Sequence, residues 1–70
     1  MALHVTINGE GRAIEGPLSV KELLAGLGLD PAKLAVERNL EIVPRSQYAA
    51  VMVGEGDRFE IVHFVGGGTR

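Results

Sequence analysis

Ser19-Val20-Lys21-Glu22-Leu23-Leu24-Ala25-Gly26-Leu27 is the stretch on which the reading of the fold turns. Ser19 as N-cap and Glu22 at the third helical position form a capping box, each side chain satisfying a backbone N–H of the other. Leu18 and Leu23 stand where a hydrophobic staple would close the entry. Val20, Leu23, Leu24 and Leu27 recur at i, i+3, i+4, i+7 and mark one buried stripe. Gly26 and Gly28 weaken the far end, with Gly28 as the C′ residue. The sequence predicts one short helix over 19–27, with no second helix of comparable signal.

Upstream, Leu3, Val5 and Ile7 alternate with His4, Thr6 and Asn8, the period of a half-buried strand. Asn8-Gly9-Glu10-Gly11 is turn chemistry, because Asn and Gly tolerate positive φ. Arg12–Glu15 is then the returning strand, ended by Gly16-Pro17. Downstream, Asp30-Pro31 suits a short capped turn. Leu34–Arg38 reads as a strand with Leu34 and Val36 inward. Asn39-Leu40-Glu41 is a turn, and Ile42-Val43 is a short strand stopped by Pro44. An irregular or 3₁₀ segment covers 45–50, with Tyr48 capping the core edge. Glu55-Gly56-Asp57 turns into a last strand over 58–65. The order β-β-α-β-β-β allows the first and last strands to lie parallel, with the helix crossing one face by a right-handed route. This predicts an α+β domain of β-grasp (ubiquitin-like) type, a mixed sheet with one helix on one face. Its expected body is 1–65, and 66–70 forms a glycine tail.

Seventy residues make one domain with a modest core, since a chain of this size buries only about 60% of its unfolded surface. Little room remains for an enclosed active site, so a carried or bound protein is expected rather than an enzyme. The net charge of −2 comes with no basic run and three aromatic residues, Tyr48, Phe59 and Phe64, which argues against nucleic acid as a partner. No cysteine is present, so thiolate catalysis, disulfides and the usual zinc sites are excluded. Neither a signal peptide nor a membrane span is read, and a reducing cytoplasm fits. The carboxylates are scattered, and none sits in an apolar context suited to acid catalysis. Arg38 and Arg45 are read as surface ion-pair residues of little weight. A metal site at His4 and His63 would need a third ligand, with Glu60 the nearest candidate, and none is expected.

Two features carry chemistry. Gly66-Gly67-Gly68 directly follow an apolar strand. Chain ends are ordinarily frayed, but a segment without Cβ atoms can also thread a narrow channel. A free glycine carboxylate offers an unhindered carbonyl carbon that becomes electrophilic once adenylated. The ATP site must come from a partner, as no Walker motif is present. The second feature is the last strand. If Phe59 and Ile61 face the helix, Glu60, Val62 and Phe64 mark the outer side. Edge contacts could bury those two apolar side chains; left exposed, they form a docking patch for a partner protein.

Leu34–Asn39, Ile42–Tyr48 and Gly56–Gly68 together resemble the bacterial ThiS family, sulfur carriers of thiamine (thiazole) biosynthesis, while the N-terminal half is similar in layout. The resemblance implies a carrier that is not itself an enzyme and needs no cofactor of its own. An E1-like adenylating enzyme (ThiF-like) would activate the terminal glycine carboxylate. A cysteine desulfurase-type donor would supply sulfur to give a thiocarboxylate, and a thiazole synthase (ThiG-like) would take it. By position, Gly68 would bear the sulfur, Gly66 and Gly67 would thread partner active sites, and Val62, Phe64 and Glu60 would dock partners. One departure matters: family members end at the last glycine, whereas Thr69-Arg70 follow here. An internal Gly68 has no carboxylate to adenylate, so Thr69-Arg70 must be trimmed, or else the two residues are foreign to the natural chain. The small subunit of molybdopterin synthase shares the implied fold and diglycine. A ubiquitin-like interaction module, either a conjugated tag or a regulatory domain, is the alternative from another class.

Overall fold

The computed structural model describes residues 1–64. Five strands form one mixed sheet: β1 (Ala2–Ile7), β2 (Glu10–Glu15), β3 (Leu34–Arg38), β4 (Glu41–Val43) and β5 (Arg58–His63). Their spatial order is β2-β1-β5-β3-β4. A single helix, α1 (Val20–Gly26), follows the β1–β2 hairpin. The first and last strands lie parallel at the centre, Thr6 beside Arg58 and Ile7 beside Phe59, and every other pairing is antiparallel. This is the β-grasp arrangement expected from the element order.

The helix begins where the capping box places it. Ser19 Oγ accepts the Glu22 N–H at 3.1 Å, and Glu22 Oε1 accepts the Ser19 N–H at 2.8 Å. The next two free N–H groups, of Val20 and Lys21, donate to the carbonyls of Val51 and Tyr48, both at 2.9 Å. The long segment between β4 and β5 thereby satisfies the helix N-terminus. At the other end Gly28 has φ +74°, and the N–H groups of Gly28 and Leu29 bond the carbonyls of Ala25 and Leu24. That is a Schellman closure, and it needs the left-handed residue glycine supplies.

Val20, Leu23 and Leu24 of α1 are buried against Leu3, Val5 and Ile7 of β1, Leu34 and Val36 of β3, and Phe59 and Ile61 of β5. Leu18 and Leu27 are half-buried at the rim. Tyr48 lies in the core with these residues rather than capping its edge. Two turns depart from their expected bounds. The β1–β2 turn takes only Asn8 and Gly9, at φ +51° and +82°, so Glu10 and Gly11 already belong to β2. The β3–β4 turn takes Asn39 and Leu40, at φ +53° and +72°, and Glu41 opens β4. Both have positive φ at each central residue, the type I′ signature whose twist matches the flanking strands. The last strand is described to His63; Val65 and the expected tail, Gly66–Arg70, lie outside the described residues. Among the described residues no helix is long and apolar enough to cross a membrane.

Candidate functional site

β5 determines what the tail-bearing end of the molecule presents. Its alternation is anchored by Phe59, fully buried, and Ile61, buried beside it, so Glu60 and Val62 face away from the helix. Phe64 leaves the sheet with its N–H donating to the Lys33 carbonyl at 3.0 Å. That bond holds the last described residue against the start of β3. Val62 is 60% exposed and Phe64 56% exposed, so neither edge contacts nor sheet twist cover them. Three of the expected site residues, Glu60, Val62 and Phe64, therefore share one exposed end of β5. Gly66, Gly67 and Gly68, expected to continue from it, are outside the described residues.

The surroundings of this end are pinned by residues that do more than their sequence context predicts. Asp30 Oδ1 accepts the Ala32 N–H at 2.9 Å and caps the 3₁₀ turn Pro31–Lys33. Among the described residues Arg45 makes no ion pair: its Nε donates to the Pro31 carbonyl at 3.2 Å and its Nη2 to the Leu34 carbonyl at 3.5 Å. The guanidinium fork thus clamps the junction between that turn and β3. Arg38 is likewise more than a surface ion-pair residue. Its Nε donates to Asp57 Oδ2 at 2.8 Å, and Asp57 is only 6% exposed.

Asp57 is the polar keystone under the start of β5. It also accepts from the Gly54 N–H at 2.7 Å and from Asn39 Nδ2 at 3.1 Å. Burial by itself raises the carboxyl's pKa. The hydrogen bonds from Arg38, the Gly54 N–H and Asn39, together with the Arg38 charge, outweigh burial and hold Asp57 below the ordinary carboxylate value. It is a buried acid kept ionised, which suits a structural tie. Asn39 completes the link by accepting the Arg58 N–H at 3.0 Å. On the neighbouring strand Asn8 imitates a further ladder residue: its amide oxygen accepts the Ile61 N–H at 2.7 Å, and its amide nitrogen donates to the Ile61 carbonyl at 3.1 Å. The parallel β1–β5 pairing is thereby extended past the end of β1.

His4 and His63 stand on adjacent strands but toward opposite ends. In the β1–β5 register they are separated by seven residue steps, about 23 Å along the strand direction. His4 pairs instead with Glu55, Nδ1 to Oε2 at 3.3 Å. Among the described residues no three His, Asp or Glu side chains come together as a metal site requires. What the geometry offers is a surface, with a strand that is held in the core on one side and exposes Glu60 and Val62 on the other.

Known proteins carry the same unit. The ThiS family model matches residues 5–68. A thiazole synthase of Paramagnetospirillum magneticum is 54% identical over 67 residues, 96% of this chain and 21% of that protein. The chain therefore spans about a fifth of the length of that relative. The sulfur carrier protein ThiS of Bacillus subtilis is 44% identical over 50 residues, 71% of this chain and 76% of that protein. The crystal structure of the thiamine biosynthesis protein ThiS from Geobacter metallireducens matches with a TM-score of 0.82 at 35% identity, covering 94% of this chain and all of the other. The family model spans Val5 to Gly68, the described fold matches that of a solved ThiS, and the chain belongs to the ThiS family.

Proposed function

We propose that this chain is a sulfur carrier for thiamine thiazole formation, in which a β-grasp body of residues 1–65 presents Gly66-Gly67-Gly68 to partner enzymes. The observation that supports it most is the 44% identity to a sulfur carrier ThiS, in a chain whose exposed Val62 and Phe64 stand just before three glycines in sequence. The body contributes presentation, and the reacting group is the tail.

The chemistry follows from the chain end. Hydrolysis of the Gly68–Thr69 bond frees the Gly68 carboxylate. An E1-like adenylating enzyme then holds ATP while a carboxylate oxygen attacks the α-phosphorus and pyrophosphate leaves. The acyl-adenylate is electrophilic because AMP is a good leaving group. The terminal sulfur of a persulfide on a cysteine desulfurase-type donor displaces AMP. A thiol reduces the resulting acyl disulfide, leaving a thiocarboxylate on Gly68. A thiazole synthase then accepts that sulfur. The thiazole synthase relative, in which the matching segment shares one polypeptide with a much longer remainder, supports that last partner. Glu60, Val62 and Phe64 dock the partners, and Gly66 and Gly67 thread their channels without steric hindrance. A reducing cytoplasm is the fitting compartment.

The test is mass spectrometry of a chain ending at Gly68, incubated with ATP, a ThiF-like enzyme and a sulfide source. The expected product has one oxygen replaced by sulfur at Gly68. A chain that takes neither AMP nor sulfur refutes the proposal. Intact mass of the protein from its natural host decides whether Thr69-Arg70 are removed.

A further inference from the structure

The register of β3 between its two neighbours creates an arrangement that the fold does not need. Glu37 lies directly opposite Ile42 on β4 and directly opposite Glu60 on β5. Two residues along, Ala35 lies opposite Val62. All of these face away from the helix, because the alternating residues Leu34, Val36, Phe59 and Ile61 are buried beneath it. Ile42 is 67% exposed, so an apolar surface flanks the carboxylates on both sides.

Residues directly opposite on antiparallel strands have Cβ atoms about 5 Å apart, and like charges so placed destabilise the pair. No ion pair among the described residues engages either glutamate. The ion pairs found there join the Met1 amino group to Glu15, His4 to Glu55, Arg12 to Glu10, and Arg38 to Asp57. Arg38 follows Glu37 but turns to Asp57 on the other side of the sheet. Arg58 shares the outer face with Glu60, two residues earlier, but among the described residues forms no ion pair with either glutamate.

We propose that Glu37 and Glu60, with Ile42, Val62 and Phe64 around them, form a docking surface for a partner protein that inserts one arginine between the two carboxylates and covers the apolar rim. The inference rests on the carrier function proposed above and adds the chemistry of the partner's contact. One cation between two carboxylates converts a repulsion into two attractions. A guanidinium fits better than an ammonium, because its planar fork can donate to both carboxylates and it gives up its hydration more readily beside apolar side chains. Charge argues against other occupants. Anionic lipid surfaces and nucleic acids are repelled by the pair. A second copy of this chain related by a twofold axis would bring glutamates onto glutamates.

The experiment uses the full chain with Glu37→Gln, Glu60→Gln and the double change. Each is titrated against the adenylating enzyme and the thiazole synthase of the same host, at low and high salt, and each is melted alone. The free variants should melt about 1–4 °C above the wild type, as repulsion is relieved. Binding to at least one of the two enzymes should weaken about tenfold or more, with a flatter salt dependence. A rise in Tm accompanied by a loss of affinity cannot come from misfolding. If the glutamine variants bind both enzymes as tightly as the wild type, the inference is overturned and the carrier function stands. A wild-type chain that binds neither enzyme overturns both. Self-association of the wild type that is lost on Ile42→Ser would assign the face to a second copy instead, and would also overturn it.

Discussion

Replacing Asp57 by asparagine keeps the shape of the side chain and removes its charge. The carboxylate accepts three hydrogen bonds, from Arg38, Asn39 and the Gly54 N–H, at 2.8, 3.1 and 2.7 Å. An asparagine oxygen can still accept from Gly54 and Arg38, but its NH₂ group then meets the Asn39 NH₂, donor against donor. One bond is lost, worth about 1 kcal/mol, and the charge-assisted bond to Arg38 weakens by a similar amount. Arg38 is partly exposed and recovers some hydration, so the total stays near 2 kcal/mol at neutral pH rather than the larger cost of a fully buried orphan charge. In a domain of this size that is about 8–16 °C in Tm.

The pH dependence distinguishes this account from simple loss of packing. The folded-state pKa of Asp57 lies below its ordinary value of 3.8, so the unfolded chain binds the proton more readily. The carboxylate's contribution is therefore complete above the ordinary value and disappears as pH falls through it toward the folded value. Urea unfolding of the wild type and Asp57→Asn at pH 7 and at pH 3 should show the stability gap shrinking at the lower pH. An equal gap at both values would mean that charge is not what the site contributes, and the reasoning would fail.

Ser19→Ala removes the acceptor of the Glu22 N–H and should cost about 1 kcal/mol in urea unfolding; no change would mean the Lys21 and Val20 bonds to the 48–51 segment alone fix the helix start. Leu40→Gly should stabilise the domain by about 0.5–1 kcal/mol, because φ at that position is +72° and the side chain is 78% exposed, so little packing is lost; a lower Tm would show that Leu40 contributes contacts that outweigh its strain. Deleting 66–70 should leave Tm unchanged while abolishing thiocarboxylate formation, and a large drop in Tm would place those residues within the folded body. Val62→Ala with Phe64→Ala should shift stability by less than about 0.5 kcal/mol, as expected of exposed positions, while weakening capture by the adenylating enzyme; unchanged capture would remove them from the docking patch.

The sequence announced its local features and concealed its long-range ones. The capping box, the Schellman glycine and the inward pair Leu34 and Val36 each depend on residues within a few positions, and each stands where the spacing predicts; the first turn is also local, but takes only Asn8 and Gly9 of the four residues expected. In the sequence Asp57 is one of several scattered acids, because its partners Arg38 and Asn39 lie 19 and 18 positions away. Asn8 looked like turn chemistry alone, since the residue it bonds, Ile61, is 53 positions distant. The same limit hid the Glu37–Glu60 pair. Alternation shows that Glu60 is outward on β5 and Glu37 outward on β3, but only the register sets them face to face. Leu40 failed as a signal for a different reason: a bulky residue at positive φ is disfavoured, so its sequence position gave no hint that the β3–β4 turn repeats the geometry of Asn8-Gly9.

On the proposed function the docking residues stand only a few positions before the reactive glycine in sequence, and that has a geometric consequence. From Phe64 to Gly68 the chain can span at most about 14 Å, the contour of four residues. Any enzyme seated on Val62 and Phe64 must therefore place its catalytic groups within that distance of its docking surface. The anchor at the near end is stiff: Phe59 and Ile61 are locked in the core, Asp57 is tied to three partners, and Phe64 is bonded to Lys33. Ordering each tail residue costs about 1–2 kcal/mol of backbone entropy, so a rigid base is worth more to a short tail than to a long one. The small core holds β5 in place, and the described chain ends at Phe64, two residues before the first of the three glycines.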